Sequence, residues 1–127
     1  MADLRTRGGA PSPVVEVQSA GGVVTARILV ESVEEQPAAV ILEKTRAAME
    51  AAGKGLRSVV LDFGGVNFIN SSGLAACIEV RNYAANHGAR AIVYRPREQV
   101  TLVFRMVRID RLYTFAHSAE DLGRAVS

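Results

Sequence analysis

The chain has one cysteine, two histidines and no long apolar run, and each scarcity removes a class of function. A lone thiol cannot close an internal disulfide. Cys77, between Ala76 and Ile78 in a predicted helix, is therefore expected to be buried and structural rather than reactive. Two distant histidines and one cysteine make no metal-ligand cluster, and no cofactor is expected. No stretch approaches the ~18 apolar residues of a membrane span. Residues 1–13 also lack the apolar core of a signal peptide, so the expected location is cytoplasmic. Neither charge sign dominates: 15 Lys and Arg stand against 13 Asp and Glu, a formal net charge of +2. Nucleic acid is therefore not the default partner. Neither GxxxxGK[ST] nor GxGxxG occurs, which argues against a nucleotide-hydrolysing site.

What is present describes one folded unit. With 127 residues and 49% hydrophobic composition, the chain can bury one sizeable core but not two. Residues 1–13, with Arg5, Arg7, Gly8, Gly9, Pro11 and Pro13, read as a mobile tail. The remainder, 14–127, reads as a single domain. Residues 14–19 and 23–30 are two strands joined by a turn at Gly21-Gly22. Ser32, with Glu35 three residues later and Pro37 in the first turn, marks a helix start. Its apolar side holds Val40, Ile41, Thr45, Ala48, Met49 and Ala52, and Gly53 and Gly55 end it. A buried strand over 58–63 leads to a helix over 72–87 closed by Gly88. Residues 90–94 form a strand stopped by Pro96. Within 98–109, Val100, Val103, Phe104 and Val107 take the spacing of a helix face. Residues 111–115 give a last strand, and Ser118 to Asp121 carry a capping box that opens a final helix. This alternation predicts an α/β fold, a mixed and mostly parallel sheet packed by about four helices.

Two surfaces admit more than one use. Arg90, Arg95, Arg97, Arg105, Arg108 and Arg111 lie close in sequence, opposed only by Glu98 and Asp110. They form either a partner-facing basic patch or, as the preferred expectation, a solvated helix face. Leu102 and Met106 lie opposite the main apolar stripe of their helix. They mark a dimer or partner surface or, preferred here, a second layer of core.

The chemistry concentrates in Asn67-Phe68-Ile69-Asn70-Ser71-Ser72-Gly73-Leu74, where a strand hands over to a helix. In open α/β sheets, sites form at such carboxyl ends of strands. A serine here is open to three uses. As a hydrolase nucleophile it would need glycine two residues before and two after; Gly73 follows Ser71, but Ile69 precedes it. His87 lies roughly 24 Å away along the same helix at ~1.5 Å per residue, and His117 has no predicted place near Ser71. As an N-cap, Ser71 or Ser72 would contribute ~1 kcal/mol. As a phosphate acceptor, Ser71 would place its anion against unpaired backbone N–H groups and the positive end of the helix dipole. Asn70-Ser71-Ser72 also matches a glycosylation sequon, read here as accidental.

The run Val59-Val60-Leu61-Asp62-Phe63-Gly64-Gly65-Val66-Asn67-Phe68-Ile69-Asn70-Ser71-Ser72-Gly73-Leu74 closely resembles the signature of STAS domains, named for sulphate transporters and anti-sigma-factor antagonists. Leu112-Tyr113-Thr114-Phe115 and the segment after Ser118 resemble the family's closing strand and helix. The resemblance implies a STAS-like single domain, a bacterial binding module rather than an enzyme. In phosphorylatable members the text is Asp-Ser-Ser/Thr-Gly, and an anti-sigma factor that is itself a serine kinase modifies the first serine. By position that residue is Ser71, with Asn70, Ser71, Ser72, Gly73 and Leu74 as the partner-binding turn. A phosphatase resetting the switch is implied as a further partner. Two departures stand out: Asn70 replaces the aspartate, and Val30-Glu31-Ser32-Val33 lacks the glycine usual after the second strand. A non-phosphorylated STAS subunit of a transport ATPase is the alternative.

Overall fold

The computed structural model describes residues 13–127. The tail expected over 1–13 lies, apart from Pro13, outside them. The elements are β1 (Val15–Ala20), β2 (Val23–Ile28), β3 (Ser32–Val33), α1 (Glu35–Ala52), β4 (Ser58–Asp62), β5 (Phe68–Ile69), α2 (Ser71–Asn86), β6 (Arg90–Tyr94), α3 (Glu98–Met106), β7 (Thr114–Ala116) and α4 (Ala119–Val126). Five strands form the main sheet in the order β1-β2-β4-β6-β7. Only β1 and β2 run antiparallel; the other neighbours are parallel. This is the mixed, mostly parallel α/β sheet with four helices that the alternation predicts.

Side-chain alternation explains the layering. On β4, Val59 and Leu61 enter the larger core, whereas Val60 points to the opposite face. On β6, Ala91 and Val93 face the first core and Ile92 the second. Both strands are covered on both sides, so they read as continuous apolar runs. The larger core is roofed by α1 and α2, through Ala38, Ile41 and Met49 of one and Ala76, Cys77, Val80 and Ala84 of the other. Leu122, Ala125 and Val126 of α4 cover the smaller one. The opening hairpin turns on Gly21 and Gly22, both at positive φ (58° and 82°). A Cβ at Gly22 would also collide with the carbonyl oxygen of Gly55.

Three boundaries differ from the sequence expectation. Ser32 does not cap α1. With Val33 it forms β3, paired in parallel with β5 so that Ser32 lies opposite Phe68, and the cap position falls to Glu34, whose side chain makes no capping bond. Val33 is buried and its carbonyl accepts from Asn70 N–H at 3.1 Å, so a distant pairing outweighs a local capping motif. Next, α3 stops at Met106, three residues early. Arg108 enters the left-handed region (φ 63°) and Ile109 N–H returns to the Phe104 carbonyl at 3.0 Å, a Schellman-type ending. Ile109 is thereby buried, Val107 turns to solvent, and Leu102 and Met106 are exposed rather than forming a second core layer. Finally, residues 110–112 form a 3-10 turn, which delays the last strand to Thr114–Ala116.

Candidate functional site

The strand-to-helix turn is assembled from several segments. β4 ends at Asp62, and the chain crosses Gly64-Gly65 before returning as β5. Asn67 and Phe68 N–H both donate to the Glu31 carbonyl, at 2.7 and 3.1 Å, so the β2–β3 connection is zipped to the segment before the turn. Asn70 then caps α2. Its backbone is extended (φ −101°, ψ −173°), and its Oδ1 accepts from Gly73 N–H at 3.1 Å. The cap is therefore Asn70, not either serine; asparagine serves as well there as aspartate or serine.

With the cap filled, the serines are left to other roles. Ser71 is the first residue of α2 and exposed, and its hydroxyl makes no hydrogen bond among the described residues. Ser72 is half-buried and lines a groove of about 280 Å³ between α1 and α2, beside Ala38, Ala39, Ala75 and Ala76. Gly73 is buried beneath the turn. A Cβ there would stand 2.8 Å from the Val33 carbonyl oxygen and 2.5 Å from Ile69 Cγ1, so only glycine lets α2 begin this close to β3 and β5. Leu74 is half-buried against the core. The structure thus places Asn70, Gly73 and Leu74 largely inside and leaves Ser71 outermost.

A second set of residues, which the sequence motif did not single out, fixes this turn from the α3 side. Asp62 is buried and receives Arg95 Nη2 at 2.9 Å, Arg95 Nε at 3.3 Å and Gly64 N–H at 2.9 Å. The bond to Asp62 holds the Arg95 guanidinium still more firmly protonated than usual. Arg97 Nε donates to the Gly64 carbonyl at 3.2 Å and its Nη1 to Asn67 Oδ1 at 2.7 Å; Asn67 in turn donates to Glu31 at 2.9 Å. The available signal was Asp62 itself, because a carboxylate closing a buried strand needs a cation.

The arginine-rich stretch is divided by these contacts. Arg95 and Arg97 serve the turn, and Arg90 donates to the carbonyls of Ala125 and Ser127 at 2.9 and 3.2 Å. Arg105, Arg108 and Arg111 remain exposed.

No histidine is a partner of Ser71. His87 sits at the far end of α2, where its Nδ1 lies 2.9 Å from the Tyr83 carbonyl and its ring stacks on Tyr83 at 4.4 Å. His117 lies in a hollow with Thr101, Arg105, Asp110 and Phe115. A serine–histidine pair is not assembled. Cys77 is buried and desolvation pushes its thiol up to about 12, so it is inert as a nucleophile. Its carbonyl accepts the Tyr113 hydroxyl at 2.6 Å, and burial raises that hydroxyl well above the usual phenol range. Among the described residues no three His, Cys, Asp or Glu side chains gather to hold a metal, and no helix is long and apolar enough to cross a membrane.

A capped helix rising from a parallel sheet, with one serine outermost and no catalytic pair beside it, describes a small α/β module. The chain belongs to the STAS domain family, whose model matches residues 19–122. No curated protein matches it in sequence. Among solved structures it is similar to a STAS domain protein described as an anti-sigma-factor antagonist from Planctomyces limnophilus, at TM-score 0.78 and 17% identity, covering 89% of this chain and 97% of that one. It is also similar to the anti-sigma-factor antagonist SpoIIAA in its unphosphorylated form, at TM-score 0.73 and 19% identity, covering 87% and 95%. The phosphorylated form of the Bacillus cell fate determinant SpoIIAA aligns at TM-score 0.67 and 17% identity, covering 87% and 98%. At these identities the likeness establishes the fold.

Proposed function

We propose that this chain is an anti-sigma-factor antagonist of a bacterial partner-switching pathway, a cytoplasmic binding module switched by phosphorylation of Ser71. The observation that carries this is the position of Ser71: outermost in the first turn of α2, its hydroxyl unused by the fold, beside a cap that Asn70 already fills. A phosphate there adds about −1.5 to −2 charges. The N-terminal helix dipole favours an anion by roughly 0.3–1 kcal/mol. The fold therefore tolerates the modification while the surface changes. A partner seated on the turn would have to desolvate the phosphate, so binding is lost without unfolding.

Asn70 bears on this in two ways. Being neutral, it caps α2 without placing a second negative charge next to a phosphate. It also removes the carboxylate that phosphorylatable members carry at this position. That absence favours the second reading, a STAS subunit such as that of a transport ATPase, which binds through the same turn and is never modified.

The test incubates the full chain and ATP with a histidine-kinase-like anti-sigma-factor kinase sought among the gene's neighbours, followed by peptide mass spectrometry. Phosphate on Ser71 is the expected result. Ser71→Ala should retain binding to the unmodifying, ADP-loaded kinase, and Ser71→Asp should weaken it at least tenfold. An active kinase that leaves Ser71 unmodified, with equal affinities for the two variants, would sink the switch.

A further inference from the structure

We propose that the outer face of α3 and its C-terminal end form a second contact surface for a protein partner whose matching patch is apolar and rimmed with carboxylates. This rests on the docking role assigned to the Ser71 turn and extends it to the same partner.

The face is apolar where a helix surface is ordinarily polar. Leu102 and Met106, one turn apart, are 49% and 80% exposed, and Val107 follows at 50%. α3 packs beside β5, whose Phe68 is 51% exposed and lies three residues before Ser71. The exposed α3 residues and the proposed docking turn thus lie on neighbouring elements. Clustered exposure of this kind marks interaction sites, whereas single exposed apolar residues do not. Methionine adapts to irregular partners, and methionine and arginine are both enriched at interfaces.

The charges indicate which partner fits. Arg105 and Arg108 flank Met106, and neither forms an ion pair among the described residues, although Arg105 shares a hollow with Asp110. Arg108 is the sharper clue, because it fills the left-handed position that ends α3 (φ 63°), where glycine is the default. Among the described residues its side chain makes no hydrogen bond or ion pair that would explain an arginine there. A second copy of the chain paired by a twofold axis through this face would set Arg105 and Arg108 near their own counterparts, a like-charge arrangement. A partner bearing carboxylates around an apolar patch meets both features.

The probe is the same anti-sigma-factor kinase, ADP-loaded, titrated with the full chain and with Met106→Glu, Arg105→Glu and Ser71→Asp, while circular dichroism and thermal unfolding monitor the fold. Met106→Glu should weaken binding at least tenfold with unfolding unchanged. Arg105→Glu should weaken it about three- to tenfold and flatten the loss of affinity with added salt. If Ser71→Asp weakens binding while both α3 variants bind like the parent chain, the α3 surface is overturned and the docking turn stands. If the parent chain does not bind at all, both fall. A chain that is dimeric by light scattering and made monomeric by Met106→Glu would instead assign the face to self-association and overturn the proposal.

Discussion

Two arginines flank α3 in left-handed backbone, Arg95 before it (φ 57°) and Arg108 after it (φ 63°), and the molecule uses them differently. A non-glycine residue in that region costs roughly 1–2 kcal/mol. At Arg95 visible contacts offset the cost: the guanidinium reaches the buried Asp62, lies over the Tyr94 ring at 5.0 Å, and borders Gly64 so tightly that a Cβ there would meet Nη2 at 2.8 Å. At Arg108 no such contact exists among the described residues. Equal backbone strain thus separates a residue the fold needs from one it merely carries. The N-terminal side of α3 holds the Ser71 turn in place, and the C-terminal end faces outward.

The difference between the two arginines is largest at Asp62. Asp62→Ala removes the acceptor of both Arg95 and Gly64 N–H and leaves Arg95 in strained backbone with only the Tyr94 ring to offset it. Charge-assisted hydrogen bonds of this kind contribute about 1.5–3 kcal/mol. A loss of roughly 2–3 kcal/mol in urea unfolding is expected, at the upper part of that range because the Gly64 bond goes as well. An unchanged midpoint would mean that the clamp is decorative. Arg95→Gly is the subtler case, because glycine relieves the backbone while deleting the pair. Arg95 is half-exposed, so water screens part of its bond to Asp62. The two effects leave a net loss of about 1 kcal/mol. If Arg95→Gly stabilises the protein, the contrast between the two arginines disappears.

Much of the layout was legible because it is written in local patterns. Strand and helix alternation, the Gly21-Gly22 hairpin and the handover to α2 each rest on neighbouring residues. Ser32 misled because its capping-box spacing is also local, whereas its pairing with Phe68 is made from 36 positions away. Asp62 signalled a missing cation, but which one was hidden for the same reason: Asp62 and Arg95 are 33 residues apart, and only the parallel pairing of β4 with β6 brings their ends together. The exposure of Leu102 and Met106 was a different kind of failure. Helical spacing shows that a helix has two apolar sides, but not that the second one meets nothing. At the turn itself, the motif singled out Ser71 as a candidate and could not say that Asn70 had already taken the cap.

Arg108→Gly gives the smallest effect and the sharpest discrimination. Glycine removes the left-handed cost of roughly 1–2 kcal/mol. It also returns about 0.5–1 kcal/mol through the greater freedom of the unfolded chain. The folded protein should therefore gain about 0.5 kcal/mol, read as a higher urea midpoint at unchanged slope. This sign is opposite to that of Arg95→Gly, although the backbone change is the same. A substitution that improves the fold while leaving a natural arginine unexplained points to work done at the surface. The same variant should then bind the kinase more weakly than the parent chain. A gain in stability with no loss of binding would leave Arg108 without a role at either end of the comparison.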